Sequence, residues 1–109
     1  MIRKFDKDRE WQKFHSPKNL SMALAAEAAE LMEIFMWLSD NQLKQLPEKF
    51  PERLQNAREE IGDIFLYLVR VAEVLNIDLF DAVFEKFSKI EQKYPIEKSR
   101  ELSRLTSET

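Results

Sequence analysis

The chain carries two sets of carboxylates at helical spacing. Glu27-Ala28-Ala29-Glu30 is followed by Glu33, and further on comes Glu59-Glu60-Ile61-Gly62-Asp63. Side chains three apart are neighbours on a helix surface, where like charges cost roughly 0.2–0.5 kcal/mol. Glu27 also falls on an apolar stripe formed by Leu20, Leu24, Leu31, Ile34 and Leu38, and a charge taken out of water there costs more unless it is paired. A divalent cation held by Glu27, Glu30, Glu60 and Asp63 would turn this mutual repulsion into one coordination site. Oxygen-only ligands favour a hard ion, magnesium or manganese. Either pair alone is also what a solvated helix face shows; the matching pairs and the place of Glu27 bring the metal reading level with it. Glu33 and Glu59 read as solvated groups or as supports for the ligands. Di-iron chemistry in a helical bundle needs a Glu-x-x-His motif from two helices, and the single histidine, His15, lies elsewhere.

Other chemistry-bearing residues are scattered. Trp11, Phe14 and His15 lie near the N-terminus and Trp37 follows the first acidic set. Aromatic rings stack nucleobases at about 1–3 kcal/mol per base, although spacing alone favours a core role for these rings. Lys86, Lys89 and Lys93 share one helical face, and Lys98, Arg100 and Arg104 follow. Such cations suit phosphates, whereas the interspersed Glu85, Glu91 and Glu97 fit a solvated mixed surface.

Four helices are predicted to position these groups. The first covers roughly Lys7 to Phe14 and stops before Ser16-Pro17, because proline disfavours helix in the residue preceding it. The second runs from about Asn19 to Leu38. Ser39 to Phe50 reads as a connector with one turn of helix ending at Pro47. Pro51 opens a third helix reaching Leu75, with a seam of Leu54, Ala57, Ile61, Ile64, Leu68, Val71 and Leu75. From Phe65 to Leu75 only Arg70 and Glu73 are charged, so most of that circumference needs cover from other helices or another subunit. Asn76 suits a left-handed helix end and Asp78 a cap. The fourth helix, Leu79 to Lys93, stops at Pro95, and residues 96–109 are expected to form a polar, loosely held tail. The fold class expected is all-α, a compact helical bundle forming a single domain over 1–109.

One glycine and four prolines in 109 residues agree with helix dominance. A formal charge of −3 provides no field to draw in a nucleic acid polymer. With no cysteine, disulfides, thiolate zinc sites and iron–sulfur clusters are excluded. The longest apolar run, Ile64 to Val69, is too short to span a membrane, and the start lacks the apolar core of a signal peptide. The expectation is a cytoplasmic protein with no membrane partner.

The residues quoted so far fall into a larger pattern. Trp11-Gln12-Lys13-Phe14-His15-Ser16-Pro17-Lys18-Asn19-Leu20, Ala23-Leu24, Glu27 to Trp37, Glu59 to Asp63, Tyr67-Leu68-Val69, and Lys93-Tyr94-Pro95 through Ser99-Arg100 together resemble the MazG-like, all-α nucleoside triphosphate pyrophosphohydrolases, particularly their dCTP pyrophosphatase branch. The resemblance runs from Arg9 to Arg100. It implies hydrolysis of a nucleoside triphosphate, a pyrimidine deoxynucleotide such as dCTP, to the monophosphate and pyrophosphate, in a homodimer or homotetramer. It also implies magnesium ligands at Glu27, Glu30, Glu60 and Asp63. Base and sugar contacts map onto Trp11, His15, Trp37 and Tyr67, and phosphate contacts onto Lys86 and Arg100. Glu30 or Glu33 is the free carboxylate suited to positioning the attacking water. Ile90 stands where the family often carries asparagine, a departure that bears on nucleotide preference. The alternatives are a non-catalytic helical interaction module with an acidic face and a nucleotide sensor that binds without turnover.

Overall fold

The architecture comes from a computed structural model that describes residues 1–108. In chain order it has α1 (Ile2–Asp8), a short 3₁₀ helix (Trp11–Phe14), α2 (Pro17–Phe35), α3 (Asp40–Lys44), α4 (Leu46–Lys49), α5 (Pro51–Val74), α6 (Leu79–Lys93) and α7 (Ile96–Glu108). There is no strand among the described residues, so the all-α expectation holds. Residues Met1–Ile77 form one compact unit, and a second begins at Asp78.

Several boundaries follow from local chemistry. The Ser16 hydroxyl accepts from the Asn19 backbone N–H at 3.0 Å, and Pro17 occupies the first helical turn, where its missing donor costs nothing. The expected helix over Lys7–Phe14 is not present as such. Glu10 adopts a left-handed conformation (φ 55) that separates α1 from the 3₁₀ helix, and α1 begins already at Ile2. Asn76 ends α5 with φ 56, and the Asp78 carboxylate caps α6 by accepting from Asp81 N–H at 3.1 Å, both as expected. The connector after Leu38 holds two short helices. Ser39 and Gln42 form a reciprocal capping box on α3, and Pro47 lies in the first turn of α4, opening that helix where the sequence suggested an end. Residues 96–108 are helical (α7), an element the sequence did not suggest; the Pro95 carbonyl accepts from Ser99 N–H at 3.0 Å and starts the first turn. Residue 109 of that tail lies outside the described residues.

The first unit is built on α2 packed along α5. The two helices run antiparallel: the Arg53 guanidinium at the start of α5 donates to the Ile34 carbonyl near the end of α2 at 3.2 Å. Leu20 is buried, and Leu24, Glu27, Leu31 and Ile34 lie half-buried below it on one stripe. On α5 the inward face is rotated from the expected seam. Ala57 is buried and Glu60, Ile64, Tyr67 and Val71 are half-buried, while Leu54, Ile61, Leu68 and Leu75 are exposed. The cause is that α5 is apolar on more than one face and α2 covers only one.

Candidate metal centre

Glu27 lies in the middle of α2 and Glu60 in the middle of α5, each on the face its helix turns to the other. Antiparallel packing brings them together, and Glu30 joins from the next turn of α2. Each of the three offers one carboxylate oxygen, and these oxygens lie within 4.8 Å of one another. Glu27 and Glu60 are half-buried and Glu30 is exposed at the rim. The Oε2 atoms of both Glu27 and Glu60 are shielded from solvent without a hydrogen-bond partner.

Carboxylates in that position have two ways to relieve the strain: share a proton or share a cation. The closeness of the other carboxylates pushes the Glu60 carboxyl up from 4.5 to about 8. The Glu27 carboxyl, placed where a protonated Glu60 could donate to it, is the main cause, followed by desolvation, the Glu30 carboxyl in the same position and the negative charges of both. Sharing a cation satisfies the same oxygens and restores full ionisation. The oxygen-only donor set and its orphaned atoms therefore fit a hard divalent ion.

The other predicted site residues fall into three groups. Asp63, one turn beyond Glu60, and Glu33, one turn beyond Glu30, are exposed and lie outside the three-oxygen group. Trp11, through Phe5, and His15 lie near Arg70 in the second half of α5, the half that also carries Tyr67. Trp11 packs edge-on to Phe5 with ring centroids 5.5 Å apart, and Tyr67 lies under the Arg70 guanidinium, 5.6 Å from it. His15 lines an open cavity of about 270 Å³ with Asp6, Gln12 and Arg70. Trp37 follows α2 in a turn, 78% exposed, so the core reading of that ring fails within this chain. Lys86 on α6 and Arg100 on α7 are exposed and belong to the second unit.

Two residues escaped the sequence reading. Asp6 is the single buried charged residue among those described, at 2% exposure. Its carboxylate accepts two hydrogen bonds from Arg70, from Nε at 2.8 Å and from a terminal nitrogen at 3.0 Å. The hydrogen bond to Asp6 raises the Arg70 pKa above its ordinary value, against the opposing effect of burial. A lone cation in the apolar run after Phe65 was a signal that Arg70 needs a partner; nothing in the sequence pointed to Asp6, 64 positions away.

A family model described as "MazG-like family" matches residues 22–108, through both units. dCTP pyrophosphatase 1 of Mus musculus is 39% identical over 97 residues, covering 88% of this chain and 56% of the mouse protein. The Homo sapiens protein of the same name is 36% identical over 105 residues, covering 95% of this chain and 61% of its own length. The chain thus spans somewhat over half the length of these relatives. A pyrophosphatase crystal structure from Archaeoglobus fulgidus superposes with a TM-score of 0.76 at 38% identity, covering 86% of this chain and 85% of that one. No helix among the described residues is long and apolar enough to cross a membrane.

Proposed function

The chain belongs to the MazG-like family, and from that premise we propose that it hydrolyses a nucleoside triphosphate to the monophosphate and pyrophosphate with magnesium or manganese. The observation that carries the proposal is the meeting of Glu27, Glu30 and Glu60 across two helices with two orphaned buried oxygens. The similarity to dCTP pyrophosphatases supports a pyrimidine deoxynucleotide as substrate. The family match spans both units, which supports reading them as one functional domain, and a cytoplasmic setting suits a triphosphate substrate.

Glu27, Glu30, Glu60 and Asp63 would hold the cation, Asp63 joining by a change of side-chain conformer from its place one turn beyond Glu60. When bound, the ion neutralises phosphate charge and polarises the phosphorus under attack. Glu30 and Glu33 face solvent, so either can accept a hydrogen bond from the attacking water and direct it in line at the α-phosphorus. The bond from that phosphorus to the bridging oxygen breaks, and pyrophosphate leaves. We assign Lys86 and Arg100 to the phosphates, and Trp11, Trp37, His15 and Tyr67 to the nucleoside. Ile90 on α6 adds no hydrogen bond to this set.

Pyrophosphate release, measured over a panel of nucleoside triphosphates with and without magnesium, tests the assignment. We expect turnover of dCTP that requires the metal, with monophosphate and pyrophosphate as the products. Binding without turnover would instead identify a nucleotide sensor, and no binding an interaction module.

We further propose a homodimer or homotetramer. Large apolar side chains stay exposed in the isolated chain: Ile61 at 58% and Phe65 at 53% on α5, and Phe80 at 73%, Phe84 at 70% and Phe87 at 58% on α6. Isolated exposed apolar residues are ordinary, but Ile61 with Phe65, and Phe80 with Phe84 and Phe87, each line up at three-four spacing on one helix face, which suits burial against a second copy. Light scattering at micromolar concentration should return at least twice the chain's mass of 13.0 kDa. A fully active monomer would refute this.

A further inference from the structure

Asp6 and Arg70 are buried beyond the needs of a surface ion pair, and no ligand role has been given to either. They tie α1 to the far end of α5 through a two-pronged contact in which both Asp6 oxygens accept. His15 is the third member: its Nδ1 lies 3.6 Å from Asp6 Oδ2, with only 16% of the histidine side chain exposed. All three line the cavity of about 270 Å³ introduced above.

The position of that cavity relates it to the metal centre. Glu60, Asp63, Tyr67 and Arg70 recur at three-four spacing and so share one stripe of α5. At 1.5 Å rise per residue, Arg70 lies roughly 10 Å along the axis from Asp63, with Tyr67 between them. A nucleotide with its phosphates at the carboxylates and its sugar beside Tyr67 would extend its base toward this cavity. Resting on the nucleotide reading above, we propose that Asp6, clamped by Arg70, is a positioning residue that orients His15 and thereby selects a base presenting an amino group.

The chemistry is that of an acceptor meeting an imidazole. An ionised carboxylate only accepts hydrogen bonds, at about four lone-pair positions, and Arg70 occupies one position on each oxygen. The free side of Oδ2 faces His15 Nδ1. At 3.6 Å the contact is longer than a hydrogen bond, and closing it by about half an ångström makes one. A proton on Nδ1 leaves Nε2 as a lone-pair acceptor, since the bond made by one ring nitrogen determines the state of the other. An acceptor in the pocket pairs with the amino group of a cytosine-type base and meets the carbonyl of a uracil-type base as a mismatch. A site built around such a bond rejects the wrong partner because a shielded polar group is left unpaired.

Asp6→Asn is the informative variant. Its amide oxygen can still accept from Arg70, but its N–H then faces His15 and favours the opposite tautomer. The measurement is kcat and KM for dCTP and dUTP with magnesium, in wild type, Asp6→Asn, His15→Ala and the double variant, alongside melting temperatures. The expected result is a fall of about tenfold in the dCTP-to-dUTP ratio of kcat/KM in Asp6→Asn, carried by KM for dCTP more than by kcat. His15→Ala should abolish the preference, and adding Asp6→Asn to it should change the ratio no further. Equal losses for both nucleotides that track a lower melting temperature would mean that Asp6 is structural only, and would overturn the proposal. So would a ratio that Asp6→Asn still shifts without His15. If Asp6→Asn does not fold, a preference retained in His15→Ala overturns it equally. A wild type that turns over no nucleotide removes this proposal together with the proposed function, whereas an active wild type with an unaltered ratio in Asp6→Asn removes this proposal alone.

Discussion

Replacing Glu60 with glutamine should lower nucleotide turnover by about two to three orders of magnitude, the scale seen when one electrostatic stabiliser of a transition state is removed, while the helical content stays intact. Glutamine matches the shape of glutamate but supplies no charge to a cation, and Glu60 is the α5 member of the three-oxygen group. The same substitution should also change how metal-free stability depends on pH. Folded Glu60 keeps its proton up to about pH 8, whereas the unfolded chain releases it near 4.5. Between those values the folded state binds the more protons, so stability falls as pH rises through the window. Glu27 and Glu30 are what raise the Glu60 carboxyl, so the slope belongs to the three glutamates together and not to Glu60 alone. Melting temperatures of the metal-free protein should decline from about pH 5 to about pH 8, and Glu60→Gln should flatten that decline. Magnesium should flatten it in the wild type as well, because the cation takes over the proton's role, and should stabilise the fold by about 2.7 kcal/mol at a hundredfold excess over its Kd. Near-normal turnover in Glu60→Gln, with the pH slope retained, would remove the assigned centre.

The second large effect is on stability. Arg70→Leu leaves the Asp6 carboxylate buried with neither of its two guanidinium bonds. Breaking one side of a buried pair costs about 3–5 kcal/mol, far more than the net worth of the pair, because an uncompensated charge stays behind. For a domain of this size that corresponds to a fall in Tm of roughly 10 °C or more. Adding Asp6→Leu should recover part of the loss, since two apolar side chains in place of the pair leave no stranded charge. Denaturant titrations of the wild type, the single variant and the double variant measure both steps. A loss below about 1 kcal/mol in Arg70→Leu would place this contact with ordinary surface pairs.

Much of the local structure was legible in the residues because its causes are local. Ser16-Pro17, Asn76 and Asp78 act through their own backbone geometry and short side chains, and each does what its type suggests. The α2 stripe with Glu27 in line is a matter of helical period, and the structure keeps it. The 3₁₀ break at Glu10 and the helix beyond Pro95 were not legible, since a left-handed glutamate and a mostly polar helix carry no strong pattern.

The carboxylates show where sequence stops. Their types and their three-residue spacing were enough to mark Glu27, Glu30 and Glu60 as potential ligands, because chemistry and helical period reside in the chain itself. Which face of α5 turns inward was decided by packing. An apolar surface on several sides offers more than one seam, and α2 covers the side that carries Glu60, Ile64 and Tyr67. The pairing of Asp6 with Arg70 beside His15 is tertiary in the same sense. Hydrogen bonds between residues 64 positions apart leave no periodic trace in sequence, and only the antiparallel return of α5 past α1 brings the two charges within reach.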